Sequence, residues 1–171
     1  MHVYISSYYR IDKVNSGLGG FTLTEVPIDP YIKDMSMFEI ACEYENKFDI
    51  SNWAVFMAFD HGKGIGGVTV ASRTKEVNML SGRDDLAVLW DIRVDDAYKR
   101  QGIGQSLFDM AVKWSKKQGL KQMKIECQNN NVPACRFYHK QGATLCAIDE
   151  YAYYNEPECR HEAQFIWFMN F

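Results

Sequence analysis

The chain has 171 residues, 47% of them apolar, enough to fill the core of one ordinary domain. Its formal net charge is −3 and no run of Lys or Arg forms a basic stripe, so no nucleic-acid partner is expected. No apolar run approaches a membrane span, and Met1 to Gly20 lacks the apolar core of a signal peptide, so a cytoplasmic protein without a membrane partner is expected.

The elements follow in chain order. Val3 to Tyr9 reads as a short strand and Ser16 to Gly20 as a flexible break, which leaves 1–20 the least certain segment of a single domain spanning 1–171. Phe21 to Val26 alternates apolar and polar, the pattern of a half-buried strand. Pro30 to Lys47 carries a helical pattern, with Ile32, Met35, Phe38, Cys42 and Tyr44 inward. Asn52 to Phe59 and Ile65 to Ala71 read as a hairpin about the turn His61 to Gly64. After a loop at Ser81 to Asp84, Leu86 to Val94 is a strong strand. A helix is expected from Gly102 to Lys117, burying Ile103, Leu107, Met110, Ala111 and Trp114 and ending at Gly119. Met123 to Gln128 is a strand. Asn131 then caps a helix with Pro133 in its first turn and Ala134, Phe137, Tyr138 and Gln141 on one face. Thr144 to Asp149 and Ala163 to Phe171 are the last strands. The fold class is α/β, a mixed twisted sheet of about six to seven strands with helices on both faces. The final strand is apolar on both sides, which suits burial in the sheet or pairing across a homodimer.

The segment Lys99-Arg100-Gln101-Gly102-Ile103-Gly104-Gln105 joins a strand to a helix. Glycines at a helix start leave backbone N–H groups open and let an anion approach, and the helix dipole favours negative charge there. Lys99 and Arg100 add positive charge. A dinucleotide fingerprint is the rival reading, but its third glycine position holds Leu107 and the turn after Val94 is too long. The glycines from Gly62 to Gly67 read as a plain hairpin turn.

The cysteines are Cys42, Cys127, Cys135, Cys146 and Cys159, an odd number with no CxxC. That opposes a disulfide framework and a zinc site. His2, His61, His139 and His161 are dispersed, so no metal is expected, and none is spaced to activate a cysteine nucleophile.

Val94 followed by Tyr98-Lys99-Arg100-Gln101-Gly102-Ile103-Gly104 resembles the acetyl-CoA signature of the GNAT superfamily of N-acetyltransferases, R/Q-x-x-G-x-G/A, with Lys99 at the usual R/Q position. The stretch from Asn131 through Ala134, Phe137 and Tyr138 to Gly142 is similar to the family's second signature, at the family's spacing. A narrower resemblance, to streptothricin acetyltransferases, is carried by Leu89 to Val94, Glu126 to Tyr138, and Ile148-Asp149 before a Tyr-rich stretch.

The resemblance implies an N-acetyltransferase fold and acetyl-CoA as cofactor. It implies cofactor contacts at Ile92, Arg93, Val94, Lys99, Arg100, Gln101, Gly102, Ile103, Gly104, Gln105, Asn131, Ala134 and Tyr138. It also implies direct attack by a primary amine of a small cationic acceptor, with Tyr138 as the acid that protonates the departing thiolate. Asp91 is the first candidate for binding the ammonium and removing its proton, and Glu126 the second; each is otherwise a structural carboxylate. Trp90, Asp91, Glu126, Asp149 and Tyr151 are the candidate acceptor contacts. Strict alternation places Trp90, Ile92 and Val94 on one face and Leu89, Asp91 and Arg93 on the other, unless a bulge changes the phase. A polyamine, an aminoglycoside or a protein amine stand as other acceptors, and a non-catalytic acetyl-CoA sensor as the reading of a different class.

Overall fold

The computed structural model describes residues 2–35 and 43–171. Strands β1 (His2–Lys13) and β2 (Phe21–Asp34) form a two-stranded sheet. There follow α1 (Tyr44–Lys47), β3 (Ala54–Asp60), β4 (Lys63–Ser72), β5 (Leu86–Val94), α2 (Ile103–Lys117), β6 (Gln122–Gln128), α3 (Val132–Lys140), β7 (Thr144–Asp149) and β8 (Gln164–Asn170). The main sheet has six strands in the order β3-β4-β5-β6-β8-β7. It is mixed: β3, β4 and β5 run antiparallel, and β5 and β6 pair in parallel. A parallel pair needs a crossover, which α2 supplies. β8 is an interior strand, with Phe165, Ile166 and Trp167 buried, so its apolar character serves the chain's own sheet.

The helix expected over Pro30 to Lys47 is corrected. β2 continues through Pro27 and Pro30 to Asp34, and among the described residues of this span only Tyr44–Lys47 is α-helical. In a two-stranded ribbon each strand has an open side, where proline's missing N–H costs nothing. Ile32 is accordingly exposed, whereas Tyr44 is buried as expected; Phe38 and Cys42 lie outside the described residues.

By internal contacts the chain divides into two compact units. The first comprises Met1–His2, Asp34–Ile125 and Phe168–Phe171. Its core holds Ala71, Val77, Leu80, Leu86 and Val88, flanked by Phe48, Trp53, Met79, Trp90 and Phe168. Trp90 sits 5.2 Å from Trp53 and 5.3 Å from Phe48, ring centre to ring centre. α2 packs where the strand has no side chain to hold it off. A Cβ on Gly66 would lie 2.9 Å from the Arg93 carbonyl oxygen and 3.3 Å from Leu107 Cδ1. The buried stripe of α2 is Leu107, Phe108, Ala111 and Ser115, whereas Met110, expected inward, is exposed. Ser115 tolerates burial in this stripe because its hydroxyl donates to the Ala111 carbonyl, at 2.8 Å.

The second unit comprises Val3–Lys33 and Glu126–Trp167. Three successive asparagines organise it. Asn129 exchanges hydrogen bonds with Tyr9 and with Ala163, through both backbone and side chain. Asn130 donates to the Tyr31 hydroxyl and to Glu162, each at 2.9 Å. Asn131 caps α3 through the Ala134 N–H, at 3.3 Å. Glu162 also holds the Lys33 ammonium at 2.5 Å, with side-chain exposures of 3% and 11%. A buried pair of this kind is favourable only when fully hydrogen-bonded.

Candidate active site

The loop after β5 is pinned before it reaches α2. The Asp95 N–H donates to the Ile65 carbonyl, its carboxylate takes Lys63 at 3.0 Å, and the Tyr98 hydroxyl donates to Asp60 at 2.9 Å. Asp95 also caps the 3-10 turn Asp96–Tyr98 by accepting the Ala97 N–H. The chain then takes left-handed backbone at Arg100 (φ 62°) and Gly102 (φ 85°). Gly102 stands at the N-cap of α2, with no side-chain cap and no acidic residue in the first turn. A Cβ there would meet nothing within 4 Å, while one on Gly104 would touch Val94 at 3.7 Å. The first turn therefore offers backbone N–H groups to an open space, which fits a pyrophosphate.

Of the side chains expected to serve this loop, several are already engaged. Gln101 donates back to the Ala97 carbonyl and Gln105 to Asp109. Lys99 donates to Asp96 at 2.6 Å and to the His2 carbonyl at 2.5 Å. Asp96, also bonded by His2, is held at a pKa of about 2, chiefly by the Lys99 hydrogen bond. Arg100 is exposed and has no partner among the described residues.

β5 changes character at Trp90. Thr69 pairs with Asp91 and Val70 with Leu89, so Trp90 is the extra residue of a β-bulge. Strict alternation fails there: Trp90 packs with the core of Val88 and Ala71, while Val94 faces Gly104 of α2. The parallel ladder to β6 ends at Leu89↔Ile125. Beyond it, among the described residues, Ile92, Arg93 and Val94 pair with β4 alone, leaving strand backbone for an extended ligand to bond.

Asp91 and Arg93 line a cavity of about 410 Å³ together with Val55, Met57, Thr69 and Asp95. Asp91, 19% exposed, accepts from Arg93 Nε at 2.7 Å. Trp90, a candidate acceptor contact, packs in the aromatic cluster, its indole N–H buried without a partner among the described residues.

In the second unit, Glu126 accepts a 2.5 Å hydrogen bond from the Tyr153 hydroxyl. Burial, with Glu126 beside it, raises the Tyr153 pKa beyond the ordinary phenol range, so this hydroxyl stays a donor. Tyr138 lies on α3, 6% exposed, with its ring edge-on to Phe137. Ala134, half-buried in the first turn of α3, is held there by the Asn131 cap. Cys127 and Cys135 are buried with sulfurs 3.5 Å apart. The hydrogen bond to Cys135 and burial raise the Cys127 thiol well above its ordinary range, which disfavours a nucleophilic thiolate. Asp149 accepts the Tyr151 N–H in a local turn, and Tyr151 points to solvent. Tyr153, which bonds the candidate Glu126, was not singled out in sequence, because a Tyr-rich stretch carries no signal separating it from Tyr151. Among the described residues no cluster of His, Cys, Asp or Glu could hold a metal, and no helix is long and apolar enough to cross a membrane.

Bulged strand, glycine-opened helix start and capped following helix are the parts of an acyl-CoA-binding transferase. The chain belongs to the acetyltransferase (GNAT) family, whose pattern matches residues 24–143. It is thus an acetyl-CoA-dependent N-acetyltransferase. It is 30% identical over 149 residues to a streptothricin acetyltransferase of Escherichia coli, covering 87% of this chain and 76% of that protein. It is 27% identical to streptothricin acetyltransferase A of Bacillus subtilis, covering 90% and 82%. Among solved structures, a nourseothricin acetyltransferase superposes with a TM-score of 0.76 at 26% identity, covering 99% of this chain and 86% of that one. A Bacillus anthracis protein described as a streptothricin acetyltransferase, in complex with acetyl coenzyme A, gives a TM-score of 0.78 at 25% identity, covering 99% and 89%.

Proposed function

We propose that this enzyme acetylates a primary amine of a small cationic acceptor, specifically the β-lysine amine of streptothricin, and so inactivates the antibiotic. The observation that carries the reading is the agreement of relatives sharing that activity in name over nearly the whole chain. The cavity supports it: carboxylates beside the apolar Val55 and Met57 suit an aliphatic chain ending in an ammonium.

Acetyl-CoA supplies the acetyl group as a thioester. The N–H groups of the α2 first turn hold its pyrophosphate, and the β5 backbone of Ile92 and Val94 bonds its pantetheine arm. Asn131 and Ala134 border the cofactor at the start of α3. The acceptor's difficulty is its proton. At a pKa of ~10.4 only about one amine in 2,500 is neutral at pH 7, a handicap of roughly 4–5 kcal/mol. A carboxylate must bind the ammonium and pass its proton on. Asp91 and Glu126 are the two candidates. Asp91 is matched to Arg93, which an incoming cation would displace; Glu126 keeps one oxygen beyond its bond to Tyr153. Tyr138 donates its phenolic proton to the leaving thiolate.

The test is purified enzyme, acetyl-CoA and streptothricin, read by mass spectrometry. One added acetyl on the β-lysine moiety, dependent on enzyme, is the expected result. No product with streptothricin, but product with a polyamine or aminoglycoside, would overturn the acceptor and leave the transferase. Binding without turnover on any amine would favour a sensor.

A further inference from the structure

We propose that Tyr153 is a positioning residue: it fixes one carboxylate oxygen of Glu126 and so presents the other to the acceptor ammonium. The inference rests on Glu126 being the carboxylate that takes the acceptor's proton, and deepens that reading.

A glutamate on a strand is a poor base by itself, because its rotatable bonds spread the carboxylate over many positions. Glu126 is half-buried on β6, and the Tyr153 hydroxyl donates to its Oε1 at 2.5 Å. Among the described residues Oε2 has no hydrogen-bond partner. A phenol suits the task. Its ring has few torsions to lose, and burial with Glu126 alongside keeps its proton in place. It donates to the carboxylate without ionising, so a proton drawn from the ammonium goes to Oε2.

The ring is itself held. It belongs to the loop between β7 and β8, residues 150–163, long for a connection without regular structure. At the start of the loop Asp149 accepts the Tyr151 N–H, and Glu150 pairs with Lys13 of β1. The Tyr154 N–H then donates to the Tyr151 carbonyl at 3.0 Å, and the Glu156 N–H to the Tyr153 carbonyl at 2.9 Å, so successive turns enclose Tyr153. At the far end Cys159 is buried, and Glu162 is tied to Lys33 and Asn130. Tyr151 and Tyr154 are exposed, and of these three tyrosines Tyr153 alone turns its hydroxyl to β6.

The test is steady-state kinetics with acetyl-CoA and streptothricin, or with spermidine if streptothricin is refused. Tyr153→Phe keeps the ring and removes the hydrogen bond. Its kcat is expected to fall about tenfold, less than the loss from Glu126→Gln, with acetyl-CoA affinity kept. Tyr154→Phe should leave kcat unchanged. The decisive readout is the double variant. In a Glu126→Gln background, Tyr153→Phe should change kcat less than about twofold, because it acts through that carboxylate. Tyr153→Phe with wild-type kcat would reduce the residue to packing and overturn the inference. An equal loss in both backgrounds would overturn it too, since the effect would not pass through Glu126. Glu126→Gln with wild-type kcat would remove the inference and leave Asp91 and the transferase standing. Wild type that acetylates neither amine would overturn the transfer reading, and this inference with it.

Discussion

Asp91 and Glu126 are both carboxylates beside a partner, and the partner decides what each can do. Asp91 shares a 2.7 Å charge-assisted bond with Arg93, so an acceptor ammonium must compete for it. Glu126 faces a phenol that stays protonated and donates, which steadies the carboxylate without neutralising it. Replacing the catalytic base should lower turnover about 100-fold, within the usual range for proton-transfer groups. Asp91→Asn and Glu126→Gln, compared by kcat with acetyl-CoA affinity as control, identify it. Tyr138→Phe should lower kcat at neutral pH with CoA affinity kept; unchanged kcat would remove its role as acid. Asp96 has a sign that can be worked out. Its pKa falls to about 2 on folding, from 3.8. Its stabilisation of the loop is then full above the ordinary carboxylate range and is lost as pH falls from there toward about 2. Amide exchange in residues 95–101 of wild type should accelerate across that window, and Asp96→Asn should abolish the step.

At the scale of elements, close approach matters more than propensity. Gly64, expected in the turn, lies on β4 with Gly66 and Gly67, which fall in the strand expected from Ile65 to Ala71. Gly66 makes room for α2, and Gly66→Ala puts a Cβ 2.9 Å from the Arg93 carbonyl. A loss of about 1–3 kcal/mol in denaturant unfolding is expected. Asn131→Ala removes the α3 cap, at a cost of ~1 kcal/mol. Phe108, fully buried on α2, should cost about 3–5 kcal/mol on truncation to alanine. The Asn131 cap was legible because a side chain bonding two or three residues onward is a local event. Phe108 and the bulge at Trp90 were not. The first depends on which face of α2 meets β4, the second on a register slip against β4 that local sequence does not encode.

For the whole molecule, the mixed α/β class and the reaction class were readable because two signatures, each a loop entering a helix, sit at fixed spacing about β6. From the residues alone came the open helix start at Gly102, the capped α3 with Tyr138, and the strands from β3 to β8 nearly to their ends. These depend on contacts within a few residues, where periodicity, glycine and proline act directly. Tertiary structure decided the rest. It carried β2 through its prolines, because a ribbon edge tolerates them. It paired Glu162 with Lys33 and Asn130, because a carboxylate taken from water must be paired. It bound Lys99 to Asp96 and to the His2 carbonyl and left Arg100 without a partner among the described residues. Residues far apart in sequence compete for the same charge, and only their positions in space say which of them wins.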